Sequence, residues 1–550
     1  MKKYLFLPIY NKNFKIFSYH TIVEQYFIDL YGLNNNKIII EDLSYDKNKF
    51  IENYKFINKK KAIYKKEILK KLKEKNIFLS NKLESSIDYW LIHFLSIIKH
   101  RYDKLLILKN RYKKIHLPYC SFHKFNFHRT EDFNKCFTNN SINNIYIFQE
   151  IAKVLNLRLI NFDNKIIMNK FQNKEYNKTL EYYFIKILLK FKKINLFIGL
   201  YYNSKNYISK LLFFLKERGL SLNISTFTLP VDIANNNKDI NIKVKENDLF
   251  DIIINKFISD FFPKIFYSND NLKNLYNLKK NIKSLSSSIA LASSDDFRIL
   301  ASFLGKKKVI TYQHGSDYDQ LKYNFLDKFE KTYSNFYSWK KKKSFNIFFE
   351  KIKSVKDNQS KISINHRKRK QKIIFFSSIA FHNIVRYESY FVNFKSNLDL
   401  IRNTAIFRNS LKNSLKKNFI YRDTKHNYGW AYKKIFLKYS SQKNLVKFFK
   451  SDSSLEAMKN SKIIITDHIS TPLYEALQLN IPILVFCDIN KYIFTNKIKK
   501  AFLLLRKNNI IFDNPESCSK FLNNHYDDIE KIWASKDVQD SLKNFKNICF

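Results

Sequence analysis

Residues 462–487 read KIIITDHISTPLYEALQLNIPILVFC, and this stretch decides the fold. Ile463, Ile464 and Ile465 form a β-branched apolar run that turns polar at Thr466 and Asp467, as a buried strand does at its carboxyl end. Ser470 and Thr471 precede Pro472, which is tolerated in the first turn of a helix because its missing N–H has no partner there. Asn480 closes the short helix, and Ile483, Leu484, Val485 and Phe486 supply the next strand. The pattern is a βαβ unit with two hydroxyls and a helix N-terminus at the mouth of a parallel sheet. Such mouths bind phosphates, because free N–H groups and the helix dipole point at the anion. The same pattern also suits an ordinary crossover with a well-capped helix.

Strand-like segments recur along the chain at 4–8, 37–40, 195–200, 308–312 and 372–377. Between them lie helical patterns: a Lys-rich, exposed one over 57–75, a core helix over 88–108, one over 207–218 stopped by Gly219, and one over 289–304 ended by Gly305. Short strands, apolar on both faces and alternating with helices, favour parallel sheets over an antiparallel barrel. At 550 residues the chain is too long for one core. The basic, polar run at 340–372, with KKKK at 340–343 and HRKRKQK at 366–372, reads as a connection between domains. The expected division is an N-terminal domain over 1–345 with a helical insertion, a connection over 346–371 and a C-terminal domain over 372–550. The fold class is α/β, with two Rossmann-like domains facing a cleft.

Lys and Arg outnumber Asp and Glu by 99 to 48, a formal charge of +51. Nucleic acid, anionic lipid and phosphorylated substrates are the partners such a field favours. Yet 86 of the basic residues are Lys, spread along the whole chain and accompanied by abundant Asn, Ile, Phe and Tyr, the profile of A+T-rich codon drift. Nucleic-acid binding calls instead for clustered cations interleaved with exposed aromatics. A basic nucleic-acid or anionic-surface binder without catalysis is therefore the alternative to an enzyme. No run approaches the roughly 18 apolar residues a spanning helix needs. The start, MKKYLFLPIYNKNFK, imitates a signal peptide only briefly, since Pro8 interrupts it and no small-residue cleavage site follows. Five cysteines without metal-ligand spacing suit a reducing compartment, so a cytoplasmic protein is expected.

His314 follows the strand pattern KKVITYQ and precedes Gly315, which lets backbone approach a ligand closely. A histidine there can act as general base or contact a phosphate. Asp317 and Asp319 form an Asp-x-Asp triplet that could hold a divalent ion or merely solvate a loop, and no metal is assigned. Arg386 and Arg422 are two of only 13 arginines, kept where planar recognition of phosphate would need them, or as surface ion pairs. Glu475, one turn into the short helix, could accept both hydroxyls of a ribose, or simply favour the helix dipole.

Four ordered stretches, DYWLIHFLSIIKHRYDKLLIL, TYQHGSDYDQLKYNFLDKFEKTYSNFYSW, FIYRDTKHNYGW and IIITDHISTPLYEALQLNIPI, resemble a family of bacterial transferases from surface-polysaccharide and O-antigen gene clusters. That family is distantly similar to the CDP-glycerol glycerophosphotransferases. The resemblance implies a GT-B-like architecture with the nucleotide-linked donor held by the C-terminal half. By position, His314 would be base or phosphate contact, Arg422 a phosphate contact, and Asp467, His468, Ser470, Thr471 and Glu475 the donor loop. Ser316 stands where the family tends to show a second glycine. The expected partners are a nucleotide-activated donor, a glycan or lipid-linked acceptor and the anionic inner membrane leaflet, with no required cofactor and no nucleic acid.

Overall fold

Sixteen short strands among the described residues gather into three sheets, and every strand pairing with a defined register is parallel. The computed structural model describes residues 3–7, 20–31, 37–41, 43, 45–122, 125–138, 143–161, 193–199, 219–222, 224, 240–316, 318–338, 372–377, 384–387, 394–422, 431–449, 457–458 and 461–549. The helix expected at 207–218, the basic runs 340–343 and 366–371, Asp317 and the stretch 423–430 lie outside them. The protein is mixed α/β and forms two compact units. One comprises Met1–Tyr312, Lys328–Phe336 and Asn383–Tyr387, the other Gln313–Asp327, Tyr337–His382 and Glu388–Phe550.

The first unit carries two sheets where one was expected. Strands β1 (Tyr4–Phe6), β2 (His20–Val23), β3 (Ile38–Ile40), β4 (Ile115–Tyr119) and β5 (Arg158–Asn161) lie in the order β3-β2-β1-β4-β5. Strands β6 (Ile194–Ile198), β7 (Gly219–Leu222), β8 (Ile282–Ser287), β9 (Val309–Tyr312) and β10 (Asn335–Tyr337) lie in the order β10-β9-β8-β6-β7. Gly219 is the first residue of β7, where a Cβ would sit 2.6 Å from the Asn195 carbonyl oxygen of β6.

Long helices Lys47–Glu74 and Glu84–Arg111 pack together in this unit. The Lys-rich helix is not simply exposed. Phe50, Tyr54, Ile57, Tyr64, Ile68 and Leu72 recur at helical spacing and form a buried stripe. Lys60 lies on that stripe, and its ammonium is met by Asp248 at 2.7 Å and Asp251 at 2.5 Å. The expected helix at 289–304 is two, Ala290–Ser293 and Asp295–Leu304, because Ser294 breaks the run and caps the second piece through Phe297 N–H at 3.2 Å. Asp295 and Asp296, both fully buried at that helix start, pair with Arg298 at 2.6 Å and Arg129 at 2.7 Å.

The second unit holds one sheet: β11 (Ile373–Phe376), β12 (Phe419–Arg422), β13 (Lys447–Phe448), β14 (Ile463–Thr466), β15 (Ile483–Phe486) and β16 (Ile511–Phe512). Their order is β13-β12-β11-β14-β15-β16, which counted from β11 is 3-2-1-4-5-6. Strands β11, β14 and β15 are buried at every residue, which explains their unbroken apolar sequences. On one face Ile374, Phe376, Ile464, Val485, Leu473 and Leu477 join a single core cluster. Stacked rings of Phe375, Tyr421, Phe486 and Phe407 form a second apolar layer. Chain growth reverses direction between β11 and β14. In open parallel sheets the strand ends on either side of such a reversal splay apart and leave a crevice at the carboxyl edge.

Candidate functional site at the carboxyl edge of the second sheet

Phe376, the last residue of β11, is in register with Arg422 at the end of β12 and with Thr466 at the end of β14. Three strand ends therefore align, and the segments that follow them share one edge. Ser377 comes next after β11, and Asp467, His468, Ile469 and Ser470 come next after β14. The guanidinium of Arg422 lies over the Phe376 ring, 4.9 Å from its centroid.

Ser470 begins the helix Thr471–Leu479 with extended backbone, yet its hydroxyl makes no capping bond. The local sequence explains why. A capping oxygen takes the N–H of the second or third helical residue. The second is Pro472, which has none, and the third, Leu473, gives its N–H to the Ser470 carbonyl at 2.9 Å. The Ser470 Oγ is shielded from solvent and meets no partner among the described residues. The Ser377 Oγ is in the same condition. Buried polar atoms usually have partners, and of the partnerless ones among the described residues these two flank the strand reversal, which makes this edge the candidate ligand site. Ser377 was not a candidate from sequence, because a lone serine after KIIFF carries no motif.

Asp467 is 2% exposed, and its Oδ1 lies 2.8 Å from His468 Nδ1. The Ile469 N–H donates to the Tyr492 hydroxyl at 3.3 Å. Burial above all, and then the Asp467 charge, push the Cys487 thiol well above its ordinary range. Thr471 is half-buried, while Glu475 faces inward and is 6% exposed. Asn480 ends the helix with φ +54°, as its sequence position implies, and its Oδ1 accepts from Trp533 Nε1 at 3.0 Å.

His314 belongs to the second unit through the segment Gln313–Asp327. That segment is tied down by Thr495 N–H donating to Gln320 O at 2.8 Å and Lys322 N–H donating to Ile493 O at 2.9 Å. An antiparallel bridge joins Leu321 to Phe494, and the Tyr474 hydroxyl donates to Gln320 Oε1. The loop is thus anchored on the helix that Ser470 begins, at the residue before Glu475. Within it His314 Nδ1 lies 3.0 Å from the Tyr318 hydroxyl. Asp319 gives its N–H to Asp327 Oδ2 at 3.1 Å, a loop-bracing role. Among the described residues no group of three or more His, Cys, Asp or Glu side chains is placed to hold a metal ion.

Arg386 is in the first unit, where its neighbour Tyr387 packs on Phe50. Burial chiefly, and then the charges of Arg386 and Arg298, hold the His93 imidazole well below its ordinary pKa. The structure thus groups Arg422, Asp467, His468, Ser470 and Thr471 at one sheet edge and adds Ser377. Arg386 belongs to the other unit.

Gly315 needs no glycine for packing, since a Cβ there would meet nothing within 4 Å. Gly315→Ala is expected to leave the unfolding free energy within about 0.5 kcal/mol of wild type. A fall in turnover without a fall in stability would show that substrate approaches the loop at that backbone; urea titration beside a rate assay separates the two.

No helix among the described residues is long and apolar enough to cross a membrane. The sequence model of the LIC12162 family transferases matches residues 34–548, nearly the whole chain and all of the edge described above. No curated protein matches it. The chain belongs to the LIC12162 family of transferases.

Proposed function

We propose that this transferase moves a sugar or polyol-phosphate from a nucleotide-activated donor to a hydroxyl of a glycan or lipid-linked acceptor, in the making of a bacterial surface polysaccharide such as O-antigen. On this reading the enzyme is GT-B-like and distantly akin to the CDP-glycerol glycerophosphotransferases, with the second unit as its Rossmann-like donor domain. The supporting observation is the pair of orphaned hydroxyls, Ser377 and Ser470, at the strand reversal of a 3-2-1-4-5-6 sheet. Each would donate to a donor phosphate, with the Thr471 hydroxyl and N–H beside them. Arg422 would add a guanidinium, and Glu475 would receive the ribose.

Charge builds on the phosphate as the nucleotide departs, and donors already in place stabilise it without reorganising. His314 would take the proton of the acceptor hydroxyl. The reading calls on no cofactor besides the donor. The basic runs 340–343 and 366–372 would hold the enzyme against an anionic leaflet, since cations within about 8 Å reinforce one another at physiological salt.

A thermal-shift and calorimetric series with CDP, UDP, GDP and CMP tests the reading. One nucleotide is expected to raise the melting temperature by binding the folded state. Ser470→Ala with Thr471→Ala should then weaken that nucleotide by about tenfold. Absence of binding by all four, or unchanged affinity in the double variant, would overturn the phosphate assignment.

A further inference from the structure

Asp467 follows β14 directly and is too shielded to solvate its own charge, yet it is engaged on both oxygens. Oδ1 lies 2.8 Å from His468 Nδ1, and Thr404 Oγ1 stands 3.3 Å from Oδ2. Thr404 carries one proton and has a closer acceptor in Leu400 O at 2.9 Å, so its hold on Asp467 is partial. The carboxylate therefore has the imidazole as its closest partner among these contacts.

The contact fixes the histidine. A carboxylate only accepts, so the short contact places a ring proton on Nδ1. Thr466 Oγ1, 3.0 Å from the same nitrogen, supports that side of the ring. The other nitrogen, Nε2, meets no hydrogen-bond partner among the described residues, and the side chain retains 16% exposure. One nitrogen is thus committed to a buried anion. The other stands open at the edge that carries Ser377 and Ser470, two residues from the latter.

We propose that Asp467 is a positioning residue rather than a ligand contact, and that His468 presents Nε2 to a phosphate oxygen of the nucleotide-activated donor. The inference rests on the donor reading given above and assigns its proton-bearing contact. In the complex the proton on Nε2 comes from the bound phosphate or from solvent and lies between the ring and a phosphate oxygen, while the Nδ1 proton stays hydrogen-bonded to Asp467. In the transfer, the acceptor oxygen forms its bond to the moving group. The bond from that group to the leaving phosphate oxygen breaks with its electron pair on the oxygen. His468 shares its Nε2 proton with that oxygen in a charge-assisted hydrogen bond, while the acceptor's proton passes to the separate base.

Two substitutions separate this role from loop-holding. Asparagine at 468 keeps a polar group near the Nδ1 position and removes Nε2, whereas glutamine keeps a donor near Nε2 and loses Nδ1. Binding of CDP, UDP, GDP and CMP is measured by calorimetry for wild type, His468→Asn and His468→Gln. His468→Asn is expected to weaken the preferred nucleotide about tenfold or more, and His468→Gln by about threefold or less. The reverse order, or equal losses, would overturn the assignment while leaving the donor site standing. Failure of all four nucleotides to bind wild type would overturn both. In the free protein, histidine-selective ¹⁵N spectra, assigned with the His468→Asn variant, should show His468 protonated on Nδ1, with that signal altered in Asp467→Asn. A neutral ring protonated on Nε2 alone would also overturn the proposal.

Discussion

Alanine at Ser377 and Ser470 together is expected to raise the melting temperature of the free protein while weakening its nucleotide by tenfold or more. The signs are opposed because each hydroxyl is shielded and unpartnered among the described residues. An unsatisfied buried hydroxyl costs about 1–3 kcal/mol, so deleting two recovers part of that desolvation penalty. In a domain of some 200 residues each kcal/mol moves the midpoint by about 2–4 °C. At Ser470 the expectation runs against the general rule that alanine at a helix start costs about 0.5–2 kcal/mol, since this serine makes no capping bond. Differential scanning calorimetry and titration calorimetry on the same samples give both numbers. A double variant less stable than wild type by the usual capping loss would mean that the hydroxyls are engaged in the folded protein.

Arg298→Met should be the most damaging single change in the first unit, at about 3–5 kcal/mol. Its guanidinium is fully buried, 2.6 Å from both Asp295 and Glu131, donates to Leu291 O at 3.0 Å and stacks over Tyr89. Methionine fills similar volume but leaves the Asp295 carboxylate and the Glu131 carboxyl without the guanidinium. Urea titration measures the loss, and a loss below about 1 kcal/mol would show that the cluster relaxes or takes up protons instead. The same cluster sets a pH dependence. Burial first, and then the neighbouring Asp295, push the Glu131 carboxyl up to about 8 from 4.5. A raised folded-state pKa means that the native state holds a proton the unfolded chain has released. Its contribution is complete below about pH 4.5 and declines as pH rises toward 8. Glu131→Gln should flatten that decline in melting temperature and leave stability at pH 5 little changed.

The βαβ unit at 462–487 was legible because every local signal agreed: β-branched runs of strand length, proline in the first helical turn, and an asparagine able to adopt positive φ at the stop. The strands at 308–312 and 372–377 were legible as apolar runs of strand length, the second ending one residue earlier, at Phe376. Two sheets in the first unit were not, since nothing in a run such as INLFI says which neighbours it will pair with; that choice is made by tertiary packing. Lys composition hid the buried stripe of Lys47–Glu74, and the burial of Lys60 depends on Asp248 and Asp251, nearly two hundred residues away. Within the site, Ser470 could be named from the local pattern and His468 from the family resemblance. The roles of Asp467 and Ser377 could not, because one depends on a contact angle between adjacent side chains and the other on a hydrogen bond that is not made.

The position of the phosphorus atoms in crystals of the protein soaked with its preferred nucleotide tests the central claim most directly. A phosphate oxygen within hydrogen-bond distance, about 3 Å, of both Ser377 Oγ and Ser470 Oγ is the expected result. Phosphates bound away from the carboxyl edge between β11 and β14, with both serines still unpartnered, would contradict it.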